Sequence, residues 1–269
     1  MPEPIDLGRP FICLRVDDLD ATVAFYEKLG FTSNEVLSPA QQAEVRFLRQ
    51  GTTAFAFFSF YDHPNVNYRG ASIHAMATEL TSRGFQCWGL NQRGPESELF
   101  LDDDGKGLPD NEAGAFTILD PDGYKLFFNT HPPEREPYEN NQWAVDEHMS
   151  AELDKHGNAP PIGNFIYRID VADLDTSREF YENMGLRAEE AGDGSVDVTA
   201  QQPHMLQDPT RFPIRLRQAE EPGATLLLRS DDPTAVAESL RSAGVDVEDG
   251  PDGPTITDPN GQKLILVSG

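Results

Sequence analysis

A fourteen-residue phrase occurs twice in this chain, 155 residues apart: DLDATVAFYEKLGF at 18–31 and DLDTSREFYENMGL at 173–186. Seven of the fourteen positions are identical, among them Phe25/Phe180, Tyr26/Tyr181 and Gly30/Gly185. A second phrase recurs in the same order, DPDGYKL at 120–126 and DPNGQKL at 258–264. Two phrases repeated in one order mean a duplicated domain, and a repeat decides the architecture before any single residue is read. A length of 269 residues suits two ordinary domains. The expected division is a first domain over 1–131, a linker with a short helix over 132–160, and a second domain over 161–269.

Each copy reads as strand, helix, then several strands. FICLRV (11–16) is apolar and alternating, as a strand is. Asp17 or Asp18 can then cap a helix whose apolar face is Leu19, Val23, Phe25, Tyr26 and Leu29, with Gly30 as a left-handed stop. Strands are expected at 31–37, 43–49 and 53–60, a helix over 71–83 ended by Gly84, then strands in FQCWGL, SELFLD, AFTIL and KLFFN. The strand opening this second unit lies somewhere in 62–70. FIYRIDV, the helix 173–184 and the segments to KLILV replay the scheme, with a second helix at 233–242. Asp-Pro-Asp/Asn-Gly is a turn: proline presets φ, glycine admits positive φ, and the acid accepts nearby backbone N–H groups.

A strand, an Asp-Leu-Asp cap, Phe-Tyr, Gly, more strands, then Asp-Pro-Asp/Asn-Gly before a last strand: this pattern resembles the vicinal oxygen chelate superfamily, which includes glyoxalase I, extradiol dioxygenases, fosfomycin-resistance enzymes and bleomycin-resistance proteins. The resemblance covers roughly 10–131 and 163–269. It implies an α+β fold of tandem domains, each built from two βαβββ units that form a cupped, partly closed mixed sheet with helices outside and the ligand in the cup. It also implies metal ligands on the first strand, on the strand before the second helix and on the last strand.

Carried over position by position, the first-strand and last-strand slots hold Phe11 and Phe127 in the first half, and Ile166 and Ile265 in the second. The opening slot of the final unit falls near Thr225. Hydrocarbons cannot ligate a divalent cation. No cofactor is therefore predicted, although a divalent metal held by atypical residues stays open. His63, beside Tyr61, Asp62 and Tyr68, lies near the blurred strand and is a candidate pocket residue. The expected site is an apolar, aromatic cup formed by Phe11, Phe55, Phe57, Trp88 and Phe127 with His63. It would bind a small planar molecule, and the acidic surface would favour a cationic one. The second half, lined by Ile166, Thr225 and Ile265, reads as filled. The alternative is a glyoxalase-, dioxygenase- or lyase-type enzyme using His63, Tyr61 or Tyr68.

Forty-six acidic residues against 21 basic ones give a formal net charge of −25. Such a surface repels nucleic acid and anionic lipid, so neither is an expected partner. Acids spread through both halves, with few lysines, suit a salt-rich cytoplasm where ions screen self-repulsion. No apolar run approaches the roughly 20 residues that span a bilayer. Cys13 and Cys87 follow no metal or disulfide spacing and read as buried thiols in a reducing, cytoplasmic setting. The small-molecule ligand is the expected partner, in a monomeric pseudo-dimer or a homodimer.

Overall fold

The computed structural model describes residues 5–33, 44–50, 53–60, 64–69, 72–88, 114–130, 165–200 and 213–269. His63, Tyr61, the linker 132–160 and the segment SELFLD lie outside them. The first half contains β1 (Arg9–Arg15), α1 (Leu19–Lys28), β2 (Thr32–Ser33), β3 (Val45–Gln50), β4 (Thr53–Phe58), β5 (Asn65–Arg69), α2 (Ile73–Ser82), β6 (Gly114–Leu119) and β7 (Lys125–Thr130). The second contains β8 (Phe165–Val171), α3 (Leu174–Asn183), β9 (Arg187–Glu190), β10 (Val196–Thr199), β11 (Ile214–Gln218), β12 (Gly223–Ser230), α4 (Pro233–Ser242), β13 (Glu248–Gly250), β14 (Gly253–Thr257) and β15 (Lys263–Ser268).

Two mixed sheets result. Their strand orders are β2-β3-β4-β1-β5-β7-β6 and, read from its last edge, β9-β10-β11-β8-β12-β15-β14-β13. The orders agree strand for strand, with β13 extra. The first strand of each half sits centrally: β1 runs parallel to β4 and antiparallel to β5, and β8 runs parallel to β11 and antiparallel to β12. Each domain is therefore two units joined edge to edge, βαβββ in three of the four and β5-α2-β6-β7 among the described residues of the remaining one, and the fold is a tandem α+β one.

The repeated phrase builds the helices as local chemistry requires. The Asp18 carboxylate accepts from the Ala21 N–H and Asp173 from that of Thr176, each at 3.0 Å. Both relieve free N–H groups at a helix start. Gly30 and Gly185, at φ 90° and 97°, take the left-handed step that stops each helix. Strand alternation then divides each sheet. Ile12, Leu14 and Val16 face the helices, in one core with Tyr26, Phe31, Phe55, Phe57, Tyr68 and Phe128. Cys13 and Ala56 face the other way, with Phe11, Phe47 and Phe58.

The motifs also join the halves. Tyr26 and Tyr181 are fully buried, and each donates across the junction to the other half's turn: Tyr26 Oη to Asp258 Oδ2 at 3.3 Å, Tyr181 Oη to Asp120 Oδ2 at 3.0 Å. The Asp17 N–H donates to Asn260 Oδ1 (2.9 Å) and the Ala172 N–H to Asp122 Oδ1 (3.0 Å). Thus the third residue of each turn holds the start of the opposite helix. The arrangement is a pseudo-two-fold clamp, built once in each direction by the same two phrases.

Candidate functional site: the concave face of the first sheet

The face of the first sheet opposite the helices is set by register. Phe11 lies opposite Asn67, Asn67 beside Phe127, Phe127 opposite Thr117, and Thr117 pairs with Trp88 through two 2.8 Å backbone bonds. Residues directly across neighbouring strands share a face. One row across the sheet therefore reads Phe11, Asn67, Phe127, Thr117, Trp88. Three of the aromatic residues expected in the cup lie in this row. The strand opening the second unit starts at Asn65, so its central residue on this face is Asn67. His63 precedes the strand and lies outside the described residues.

Phe55 and Phe57 do not belong to this face. The odd positions of β4 point to the helices, where both rings are fully buried around Tyr26, with centroids 6.0 and 4.8 Å from its ring. From Ala54 to Phe58 the strand is apolar on both faces, which hides the period-two pattern; the alternate residues Ala56 and Phe58 occupy the concave side. Tyr68 is likewise excluded. It stacks on Phe128 at 5.3 Å in the helix-side core, and burial pushes its hydroxyl far above its ordinary range. It cannot serve as an acid or base on the concave face.

The face has two characters. Over β1, β3 and β4 it is aromatic: Phe11 meets Phe47 edge to face at 6.1 Å, Phe47 meets Phe58 at 6.5 Å, and Phe58 meets Phe60 at 5.4 Å. Phe60, 57% exposed, ends this run at the surface. Over β5, β6 and β7 the face is polar and shut from solvent. Asn65, Asn67 and Thr117 are 5%, 2% and 2% exposed. The amide oxygens of Asn65, Asn67 and Asn129 and the Thr117 hydroxyl oxygen are buried without a hydrogen-bond partner. Each such atom costs about 1–3 kcal/mol if left unmet. Asn67 Nδ2 lies 3.7 Å from Cys13 Sγ, which fixes both side chains on this face.

These residues do not fit a catalytic metal. The three central positions offer two phenyl rings and a neutral amide. The adjacent thiol, Cys13, is pushed up to about 12, chiefly by burial, so it stays protonated and is no thiolate ligand. Among the described residues no group of three His, Cys, Asp or Glu side chains is placed to hold an ion.

The matching face of the second sheet is occupied by its own side chains. Ile166, Leu227 and Ile265 form a small apolar cluster, and Thr225 is buried beside Arg168 in register. The ion pairs around that cluster were not expected from the sequence. Arg217 binds Asp170 through two bonds of 2.8 and 3.1 Å, Arg215 binds Asp197 at 2.7 and 2.8 Å, and Arg168 reaches Asp252 at 2.8 Å. The alternation in FIYRIDV and IRLRQ, apolar toward the helices and charged between, was the signal. Three guanidinium groups against three carboxylates leave no net charge for a ligand.

A cleft of about 420 Å³ also lies at the junction, bordered by Arg83, Phe85, Trp88, Pro121, Glu179 and Phe180. It is held by the Phe85–Phe180 edge contact at 5.2 Å and by Arg83 Nη1, which donates to the Asn183 carbonyl at 3.0 Å. No helix among the described residues is long and apolar enough to cross a membrane.

Residues 9–128 match the model of the Glyoxalase/Bleomycin resistance protein/Dioxygenase superfamily. The fold is similar to that of the Mn(II)-bound glyoxalase from Novosphingobium aromaticivorans, at 14% identity over 96% of this chain and 80% of that one, with a TM-score of 0.57. It is similar also to homoprotocatechuate 2,3-dioxygenase from Arthrobacter globiformis, at 15% identity over 99% of this chain and 81% of that one, with a TM-score of 0.58. No curated protein matches the chain by sequence. At such identities the likeness to solved structures is one of fold, and function rests on the site.

Proposed function

We propose that this chain, a member of the glyoxalase/bleomycin resistance protein/dioxygenase superfamily, is a metal-independent binding protein whose first domain holds a small, partly aromatic molecule on its concave face. The observation that carries this reading is the central row, where Phe11 and Phe127 flank Asn67. Two rings around one amide give the apolar walls and the single orienting polar group of a small-molecule site. The second domain, its face closed by ion pairs and by Ile166, Leu227 and Ile265, serves as the structural partner that completes the clamp. Two free, buried cysteines support a reducing compartment, the cytoplasm.

A catalytic reading needs an acid–base group on this face. With Tyr68 on the other side of the sheet, it would rest on His63 and Tyr61. Elemental analysis of protein purified without chelator separates the two readings, together with melts after addition of Fe, Mn, Ni, Zn or Mg ions. The binding reading expects no stoichiometric transition metal and no melt shift that chelator reverses. A stoichiometric metal lost on His63→Ala would overturn it in favour of an enzyme.

A further inference from the structure

Two helices end at the junction cleft: α2, capped by Arg83, and α3, whose last residue is Asn183. Their ends are tied in both directions. Arg83 Nη1 donates to the Asn183 carbonyl at 3.0 Å, and Asn183 Nδ2 donates to the Arg83 carbonyl at 3.3 Å. Beside them Phe85 of one half meets Phe180 of the other edge to face at 5.2 Å. These contacts hold the walls by themselves, so the cavity of about 420 Å³ is preformed. Its size is that of a small-molecule site, and such sites favour domain junctions.

The pseudo-two-fold relation gives each of these positions a counterpart at the opposite junction. Numbered from the repeated phrase and from Gly84/Gly244, the residues Arg83, Phe85, Trp88 and Glu179 correspond to Ala243, Val245, Glu248 and Ala24. One scaffold is built twice, and small side chains suffice at the second junction. The joined set of aromatic rings, guanidinium and carboxylate occurs at the first alone. The helix ends differ as well. In their last turns α1 and α4 carry Lys28 and Arg241, whereas α2 and α3 carry no basic residue there.

The charges around the cleft leave a negative balance. The Arg83 guanidinium is matched by Glu79 at 2.9 Å. Arg178, adjacent to Glu179 in sequence, is held by Glu182 at 3.6 Å and Glu190 at 2.8 Å. The Glu179 carboxylate borders the cleft and makes no ion pair or side-chain hydrogen bond among the described residues. The two helix C-termini add partial negative charge, about half an elementary charge each. Aromatic rings beside an unmatched carboxylate attract cations and disfavour anions.

We propose that this cleft is a second binding site, for a small organic cation: a protonated amine on a flat apolar body. The ammonium lies by Glu179 and the two helix ends, and the apolar body lies against Phe180 and Trp88. The site is separate from the concave face and does not rest on that reading.

The test is binding of the full-length protein to 2-phenylethylamine, 2-phenylethanol and 3-phenylpropanoate, by calorimetry and ligand-observed NMR. Salt of about 0.15 M screens remote charges. The amine should bind about tenfold more tightly than the alcohol, and the carboxylate most weakly. Glu179→Gln should bring the amine close to the alcohol and leave the alcohol unchanged. Glu238→Gln, at an exposed carboxylate on α4 that does not border the cleft, should change nothing. Phe180→Leu should weaken amine and alcohol together, with melting curves showing that each variant is folded. Amine and alcohol bound alike would overturn the cation class. Equal losses in Glu179→Gln and Glu238→Gln would overturn the site in favour of the general field of an acidic surface. Amine binding kept in Glu179→Gln and lost in Phe11→Ala would put the amine on the concave face and overturn the cleft. Failure of all three probes to bind would overturn both the class and the site.

Discussion

Asp120 is a carboxyl group held in a seam between domains. Its Oδ1 accepts the N–H groups of Asp122 and Tyr124, and its Oδ2 accepts the Tyr181 hydroxyl. Burial pushes its pKa up to about 6, against the pull of those three donors. Asp258, its counterpart, is raised by the same cause. A carboxyl raised on folding binds its proton more tightly in the folded chain. Its contribution to stability is whole below the ordinary value of 3.8 and is lost as pH rises through about 6. The loss is on the order of 2–3 kcal/mol for a shift of this size. Asp120→Asn keeps an acceptor for the turn and cannot ionise. Between pH 4 and 7 the melting temperature of wild type should therefore fall relative to that of the variant, by about 5 °C. Equal pH profiles would show that the seam does not sense this proton. The residues of this clamp were legible as a repeated motif. Their bonds were not, because a side chain's partner 61 or 232 residues away leaves no local trace.

At the scale of elements, the turns explain why one copy reads DPDG and the other DPNG. In the first, Ser177 Oγ donates to Asp122 Oδ2 at 3.3 Å. In the second, the Thr22 hydroxyl already donates to the Asp18 carbonyl at 2.7 Å, so the turn must supply the donor, and Asn260 Nδ2 does so at 3.0 Å. Asn260→Asp would set a carboxylate oxygen against the oxygen of Thr22, in a neighbourhood that already holds Asp17, Asp18 and Asp258. The expected cost is about 1–2 kcal/mol in urea unfolding, while Asp122→Asn, which can donate to Ser177, should cost about 0.5 kcal/mol or less. Equal costs would reject this account of the difference. Helix boundaries followed from caps and glycines almost to the residue, because those signals are local. The strand faces were harder. The alternation in FIYRIDV shows which residues point where, whereas TAFAFF is apolar from Ala54 onward and conceals that Phe55 and Phe57 belong to the core. The strand Asn65–Arg69 was expected only somewhere within 62–70, because asparagine has low strand propensity and blurs its limits.

The whole molecule carries a charge of −25 over two packed domains. Its surface ion pairs, such as Arg187–Glu189 and Arg241–Asp249, are exposed and contribute little. Long-range repulsion among the excess acids is the larger effect. Raising KCl from 0.1 to 1 M shortens the Debye length from about 10 to about 3 Å and screens it. The melting temperature should rise over that range. A constant or falling value would mean that salt-sensitive pairs, such as Arg215–Asp197, outweigh net repulsion.

By itself the sequence determined the duplication, the βαβββ units, the helix caps and the turns. Each of these depends on residues close in the chain, where φ preferences, caps and alternation act directly. It also carried the absence of His, Asp or Glu from Phe11, Phe127, Ile166 and Ile265. Only the tertiary structure decided that the repeated motifs clamp one domain to the other, and that Asn67 rather than a histidine stands between Phe11 and Phe127. Only it brought the unmet oxygens of β5, β6 and β7 onto one face with Arg69. Pairing between distant strands and docking of two domains set these neighbours, and neither is written in the spacing along a single strand.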